Sequence, residues 1–234
     1  FFFLKIWYTR FNQLNESEDI KMDILETMKA RHSVRQYKNQ AIESSKREKI
    51  NALIKDVNAE SKLSIQVFYD EPKCFDSFMA HYGKFENVKN YIAIVGNKND
   101  QEKAGYYGEK IVLKCQKLGL NTCWVAMTHG KSKAQIKRGQ KLLIIISLGY
   151  GETQGVPHKS KSIAELGQAD QKNEWFEKGM EAVSLAPTAV NQQKFYFELK
   201  NGIVTAKNLG GFYSRIDLGI VKYHFEVVTG HEVK

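Results

Sequence analysis

The stretch Arg31-His32-Ser33-Val34-Arg35 places two guanidinium groups and a hydroxyl at alternate positions, immediately after a predicted helix. That helix has Asp23 as its predicted N-cap, and its apolar pattern stops at Ala30. An extended chain after Ala30 would direct residues 31, 33 and 35 to one side and Val34 to the other. Arginine forks bind phosphate bidentately and serine adds a donor, so this face predicts a site for a phosphorylated ligand. A solvated basic strand edge is the alternative interpretation.

The composition is that of a folded protein with a sizeable core. A chain of 234 residues with 42% hydrophobic residues and 3 prolines can form one large domain or two closely packed halves. The balance of 35 Lys and Arg against 26 Asp and Glu gives a net charge of +9, which favours anionic ligands in general. The lysines are scattered and no recognised nucleic-acid motif accompanies them, so the sequence does not predict a nucleic-acid partner.

The three cysteines, Cys74, Cys115 and Cys123, are odd in number and match no metal-binding spacing. They predict buried free thiols in a reducing cytoplasm and no metal site. The apolar run that opens the chain is too short to span a bilayer, and it lacks the features of a secretory signal, so no membrane association is expected. We expect Met22 to be the natural start and residues 1–21 to be a non-native or flexible extension, with a partner-clasping arm as the alternative.

Periodicity up to about residue 168 predicts helices and strands intermixed around one sheet. Amphipathic helices are predicted over residues 46–58 and 101–118, and Gly119 is placed to end the second as a C′ residue. Residues 71–85 are predicted to be irregular or short helical. Strands are predicted over residues 63–69, 91–95, 122–127 and 142–148, and the last is the most apolar and is expected to be central.

A second organisation begins near residue 170. A helix is predicted around residues 175–184, and it breaks at Ala186-Pro187, where a new turn or helix could start. Asn201-Gly202 joins two short apolar runs and predicts a hairpin with a type I′ turn. The closing helix is predicted over residues 214–229, with an inward stripe of Ile216, Ile220, Tyr223 and Val227. No proline- or serine-rich linker separates the halves, so two interlocked subdomains are expected.

With these segments placed, the chain resembles the nitroreductase-like family of FMN-dependent oxidoreductases from about residue 22 to the C-terminus. Four stretches carry the resemblance. The first is residues 31–35, and the second is the helix and turn that end in Leu118-Gly119-Leu120-Asn121-Thr122-Cys123-Trp124. The third is Leu148-Gly149-Tyr150. The fourth, Leu185-Ala186-Pro187-Thr188-Ala189-Val190-Asn191-Gln192-Gln193, is similar to the family's Ala-Pro-Ser-x-x-Asn-x-Gln-Pro segment.

In ordinary family members the fourth segment lies soon after the first and reaches across a dimer interface to the partner's flavin. Its place in the second half here implies a single-chain branch in which two half-domains imitate the homodimer. The resemblance implies an α+β, nitroreductase-like fold of two interlocked α/β half-domains, with mainly antiparallel central sheets flanked by helices. Residues 22–168 would hold the FMN phosphate and residues 169–234 would close the pocket. A monomer with one FMN is expected.

The resemblance also implies which residues contact FMN. Arg31 and Ser33, with two lysines of a later loop, would hold the phosphate, although a solvated loop is the alternative for those lysines. Arg35 would stabilise negative charge at the pyrimidine edge of the reduced flavin. The backbone of residues 126–129 would approach N5 and O4. The full implied set is Arg31, His32, Ser33, Arg35, Ala126, Met127, Thr128, His129, Lys159, Lys161, Pro187, Thr188, Ala189 and Asn191.

The activity implied is ping-pong oxidoreduction: NADH or NADPH passes a hydride to flavin N5 and leaves, and a planar acceptor such as a quinone or nitroaromatic takes the electrons. No side-chain acid is expected, and His224 is expected to be structural. Five aromatic residues could wall the acceptor slot, although a core role is favoured for most of them: Phe75, Phe78, Tyr82, Tyr106 and Tyr107. A flavin-binding or storage protein without turnover and a basic nucleic-acid-binding protein are the alternatives.

Overall fold

The computed structural model describes residues 23–234, and the expectations for residues 1–21 therefore lie outside the described residues. The architecture is α+β, as predicted. The first part of the chain forms four α-helices, a 3₁₀ turn (Pro72–Cys74) and a four-stranded sheet. Its helices are α1 (Ile24–Ala30), α2 (Ser44–Ser61), α3 (Phe78–Tyr82) and α4 (Gln101–Lys117), and its strands are β1 (Ser64–Phe68), β2 (Asn90–Gly96), β3 (Asn121–Val125) and β4 (Lys141–Gly149).

The four strands lie in the order β1-β2-β4-β3, and every neighbouring pair is antiparallel. The two central strands carry the most continuous apolar sequence: β2 is buried along its whole length and β4 is buried from Leu143 onward. Isoleucines face isoleucines between them, as in the pair Ile92 and Ile146. Strands that are buried on both faces need such runs, so the prediction that residues 142–148 form a central strand is confirmed.

The second part of the chain forms a smaller sheet and the closing helix. Its elements are α5 (Ile163–Leu166), β5 (Gly167–Ala169), α6 (Glu174–Ser184), a 3₁₀ turn (Ala189–Asn191), β6 (Phe195–Lys200), β7 (Ile203–Asn208) and α7 (Ser214–Thr229). Asn201 and Gly202 join β6 to β7 with φ of 52° and 73°, which is the left-handed pair that the type I′ turn requires. The strand β5 pairs in parallel with β6, so the smaller sheet is mixed.

Two glycines bring helices α4 and α7 into backbone contact. A Cβ atom added to Gly105 would overlap the carbonyl oxygen of Ile216, and one added to Gly219 would overlap the carbonyl oxygen of Glu102. Only glycine permits so close an approach. Because α4 and α7 come from different parts of the chain, this crossing packs both parts around one hydrophobic core, in which Ile111 and Ile220 are both buried.

Several boundaries and orientations differ from the predictions. Helix α2 begins at Ser44 and continues to Ser61, because Glu43 occupies the N-cap position and Lys62 ends the helix in a left-handed conformation. The Asp23 side chain makes no capping hydrogen bond, and its carbonyl oxygen accepts from the Thr27 hydroxyl. Val227 was predicted to face inward, but it is 40% exposed, because it lies beyond the end of the buried stripe of α7. Gly119 has φ of 74° just after α4, as predicted.

Three observations bear on the chemistry of the chain. All three cysteines are free and buried, as the sequence predicts. Within residues 23–234 no three side chains of the His, Cys, Asp and Glu types come together as a possible metal site. No helix in this part of the chain is long and apolar enough to cross a membrane.

Candidate functional site

A cavity of about 290 Å³ lies between the larger sheet and the N-terminal end of α7. Its volume is at the lower end of the range of roughly 300–1,000 Å³ that is typical of small-molecule sites. Trp124 of β3 and Ile144 of β4 form one wall, and Ile216 and Ile220 of α7 form another. The cavity therefore offers mainly apolar surface to a ligand.

The segment of residues 31–35 runs along one edge of this cavity. It is extended because it is bonded on both sides: Val34 N donates to Thr122 O at 3.1 Å, and Glu86 N donates to Arg35 O at 3.0 Å. Ser33 and Arg35 line the cavity, whereas the Val34 side chain is buried in a separate apolar cluster. Side chains therefore alternate along this segment as predicted, and the hydroxyl of Ser33 and the guanidinium of Arg35 face the cavity.

Arg31 lies apart from the cavity lining, in a buried polar cluster. Its guanidinium Nε is 4.0 Å from Glu109 Oε1, and its Nε and Nη1 atoms have no hydrogen-bond partner among the described residues. Burial lowers the pKa of Arg31, and the charge of Glu109 acts in the opposite direction. An arginine stays charged in proteins, so Arg31 is a buried cation with unused donors.

Glu109 joins Arg31 to two further side chains. Its Oε2 accepts from Trp124 Nε1 at 3.0 Å, and its Oε1 lies 3.0 Å from His224 Nε2. His224 Nδ1 donates to Ala182 O at 2.9 Å. Glu109 therefore links Trp124, which lines the cavity, to the buried cation Arg31 through one hydrogen bond and one ion pair.

The loop after β3 forms the floor of the cavity. Ala126, Met127 and Thr128 line it, and Tyr213 donates its hydroxyl proton to Ala126 O at 3.4 Å. His129 does not line the cavity, and its Nδ1 donates to Gly130 O at 2.7 Å. This local bond fits the interpretation of His129 as a polar loop residue.

The segment after α6 closes the cavity from the second part of the chain. Pro187, Thr188 and Ala189 line the cavity, and Val190 lines it too. Asn191 does not reach the cavity, and its Nδ2 instead donates to Lys159 O at 2.9 Å. The predicted closing segment is therefore present, although its asparagine binds another loop.

Lys159 and Lys161 lie on that other loop. Gln193 Nε2 also donates to Lys159 O at 2.9 Å, and Lys161 donates its backbone N–H to Gln193 Oε1 at 2.8 Å. Neither lysine lines the cavity. The loop of the two lysines is thus bound to the closing segment, next to the cavity rather than within it.

Basic groups surround the same region. His32 Nδ1 lies 3.1 Å from Gln154 O, and His158 Nε2 lies 3.1 Å from Ser184 O. Burial lowers the pKa of His158, the hydrogen bond to Ser184 O acts in the opposite direction, and the charge of Arg31 lowers this pKa further. His158 immediately precedes Lys159 in the chain, so it lies where the lysine loop begins.

Several residues of the cavity were not predicted from the sequence. Asp217 is buried and lines the cavity, and the aromatic walls are Trp124, Phe212 and Tyr213. None of the five aromatic residues considered from the sequence lines it: Phe75 is buried in the core, Phe78 and Tyr82 are exposed, and Tyr106 packs with Tyr107 and Tyr223. The inward stripe of α7 was predicted, and only its position against β3 and β4 shows that Ile216 and Ile220 line a cavity.

The residues present fit an FMN group. The apolar walls and Trp124 suit a planar ring, and Arg35 supplies a permanent positive charge at the edge of that slot. The buried nitrogens of Arg31 that lack a partner suit an anion such as a phosphate, because a buried charged donor is costly when it has no acceptor.

The fold and the cavity together define a class of α+β proteins in which a small-molecule-sized cavity lies between an antiparallel sheet and a helix from the other part of the chain. Residues 23–229 match the family described as "Putative TM nitroreductase". The chain belongs to this nitroreductase family, and the predicted nitroreductase-like fold is thereby confirmed.

The chain is similar to several solved structures. The "putative nitroreductase" of Thermotoga maritima is similar over 90% of this chain and 87% of its own, with 23% identity and a TM-score of 0.64. A "putative nitroreductase in complex with FMN" from Desulfovibrio desulfuricans is similar over 62% of this chain and 95% of its own, with 16% identity and a TM-score of 0.48. The "Putative NADH dehydrogenase/NAD(P)H nitroreductase" of Bacteroides thetaiotaomicron is similar over 61% of this chain and 95% of its own, with 19% identity and a TM-score of 0.47. A comparison with curated proteins found no match.

Proposed function

We propose that this protein is an FMN-dependent NAD(P)H oxidoreductase that reduces a planar acceptor such as a quinone or a nitroaromatic compound. One observation carries the proposal: three separate segments that the resemblance assigns to FMN converge on one cavity. Ser33 and Arg35, residues 126–128 and residues 187–189 all line it, although they are far apart in the sequence. Membership of the nitroreductase family supports the same assignment.

The residues of the chain would then have distinct tasks. Bound FMN supplies hydride acceptance from a nicotinamide and hydride donation to the acceptor. Arg35 supplies a fixed positive charge where negative charge develops on reduction. Arg31 and Ser33, with the lysine loop at 159–161, hold the phosphate, and Trp124 with α7 excludes water from the ring.

The proposal extends to the assembly and location of the protein. Residues 22–168 and 169–234 are proposed as two halves that imitate a dimer, since both line one cavity within one chain. We therefore expect a monomer with one FMN in the cytoplasm. Light scattering that shows an obligate dimer with shared flavins would contradict this part.

The first experiment is the visible absorption spectrum of the purified protein, followed by anaerobic addition of NADH and then NADPH. We expect flavin bands that bleach with a nicotinamide and return with menadione. Flavin bands that no nicotinamide bleaches would instead support a flavin-storage protein. A colourless protein that does not take up added FMN, and whose binding to nucleic acid falls steeply with salt, would contradict the proposal.

A further inference from the structure

The closing segment at residues 188–193 adopts a backbone conformation that its side chains do not explain. Val190, Asn191 and Gln193 have φ of 47°, 53° and 47°, in the left-handed region that β-branched residues avoid most strongly. Val190 is 83% exposed, so the packing of its side chain does not compensate for the strain. Strained backbone persists only where surrounding contacts enforce it, and it occurs often at functional sites.

Hydrogen bonds hold this segment on two sides. On one side Gln193 binds Lys159 O and the backbone N–H of Lys161. On the other side the carboxylate of Asp217 accepts from Ala189 N at 2.9 Å and from Gln192 Nε2 at 2.7 Å. These two bonds to Asp217 flank Val190. The carboxylate therefore binds the segment on both sides of Val190, its most strained residue.

Packing alone does not account for a carboxylate at this place. Asp217 is 4% exposed and lines the cavity, and it forms no ion pair with any described residue. Burial raises the pKa of its carboxyl to about 6, and the two hydrogen bonds counteract only part of that effect. A buried carboxylate without a cationic partner reduces stability, so a role in the site is a better explanation than a role in the core.

We propose that Asp217 is a positioning residue whose carboxylate holds residues 188–193 closed over the cavity and thereby slows the release of bound flavin. This inference rests on the proposed function, because it names FMN as the ligand that the closed segment retains. The hydrogen bonds from Ala189 and Gln192 to Asp217 hold residues 188–190, which cover the cavity, in place.

The test measures FMN association and release by stopped-flow flavin fluorescence with flavin-free protein. Asp217→Leu removes both acceptors and keeps the branched shape of the side chain, and we expect release to be at least tenfold faster, with an association rate constant within twofold of wild type. Glu226→Gln is the matched control. Glu226 lies on the same helix and also accepts two hydrogen bonds, from Tyr106 and Val233, but it does not line the cavity. Its release rate is expected to stay within twofold of wild type.

A second variant separates positioning from general loss of structure. Gln192→Ala leaves the carboxylate in place, and release is expected to be several-fold faster. Gln192 Nε2 donates both to Asp217 Oδ2 and, at 2.6 Å, to Phe212 O. In the double variant the two effects should therefore overlap in part, and release should be clearly slower than the product of the two single effects predicts. Wild-type release in Asp217→Leu, or multiplicative effects in the double variant, would overturn the inference.

Gln192→Ala also covers the case in which Asp217→Leu does not fold, since unchanged release in Gln192→Ala overturns the inference by itself. The two proposals fail in different ways. Wild-type protein that binds no FMN overturns the proposed function and this inference with it. Wild-type protein that binds FMN, together with variants that release it at the normal rate, overturns this inference alone.

Discussion

Arg31 Nε lies 4.0 Å from Glu109 Oε1, and the two side chains are 3% and 0% exposed. This is a buried ion pair without a direct hydrogen bond, so the carboxylate orients the guanidinium but leaves its donors free. Glu109 uses its own acceptors on Trp124 and His224. The proposed phosphate-binding role of Arg31 rests on this fixed cation and on its two nitrogens that have no hydrogen-bond partner among the described residues.

Arg31→Lys should therefore weaken the binding of FMN more than that of riboflavin, which lacks the phosphate. Lysine keeps the charge but loses the fork, and bonds to charged groups contribute roughly 1.5–3 kcal/mol, so we expect an FMN affinity about ten- to a hundredfold lower. Riboflavin affinity should stay within about twofold. Fluorescence titration measures both. Arg47→Lys, at an exposed pair with Asp70, is the control. An equal loss for both ligands would place the phosphate elsewhere.

Arg35 should set the reduction potential of the bound flavin. Within residues 31–35, Arg35 is the only charged residue that lines the cavity. Arg35→Leu removes this charge and should lower the midpoint potential of the flavin by about 30 mV or more. Arg35→Lys should lower it by less, because it keeps a positive charge. Reductive titration against a reference dye gives the values. Arg138→Leu, at an exposed arginine outside the cavity lining, should leave the potential unchanged.

The titration of Asp217 should appear in the pH dependence of stability. Burial raises its folded-state pKa to about 6 from an ordinary 3.8, so the folded protein binds a proton more tightly than the unfolded chain does. The stability that comes from this proton is present below about pH 4 and is lost as the pH rises to about 6. Urea unfolding should show wild type losing about 1–3 kcal/mol relative to Asp217→Asn over this range. A constant difference between the two proteins would contradict the assignment.

Gly219→Ala should destabilise the protein. At an exposed helical site this substitution usually stabilises by up to about 1 kcal/mol, but here the added Cβ would overlap Glu102 O. We expect a loss of about 1–3 kcal/mol in the free energy of unfolding, measured with urea. Lys103→Ala, at an exposed position on α4, should change it by less than about 0.5 kcal/mol. Stabilisation by Gly219→Ala would show that the two helices are further apart.

The cysteines should be unreactive in the native protein. Burial raises the pKa of Cys74 and of Cys115 to about 12, and it raises that of Cys123 as well. Thiolates are the reactive form, so a thiol reagent at pH 8 should label none of the three until urea unfolds the chain. Mass spectrometry counts the labels. Rapid labelling of one cysteine in folded protein would show that its surroundings open locally.

The secondary structure was largely predictable because its signals are local. The Asn201-Gly202 turn and the apolar run of β4 each depend on a few neighbouring residues. Helix α7 runs over Ser214–Thr229, as predicted. The parallel pairing of β5 with β6 was not predicted, because a three-residue strand has no periodicity to detect.

The candidate site was predictable only where a motif marks it. Ser33, Arg35 and residues 187–189 were expected near one ligand, and they do line one cavity. Asp217 was missed, because an acidic residue in the first turn of a helix normally indicates a partner of the helix dipole. Glu109 was missed for a related reason: its partners Arg31, Trp124 and His224 lie on three other segments, and only the folded chain brings them together.

The cavity draws one wall from Ser33 and another from Pro187 of the same chain. In a site shared between subunits, the two walls separate when the protein is diluted below its dimerisation constant. In the proposed monomer both walls belong to one peptide chain, which would keep the second wall at a high effective concentration whatever the protein concentration. Ligand affinity measured at nanomolar protein should therefore equal that measured at micromolar protein.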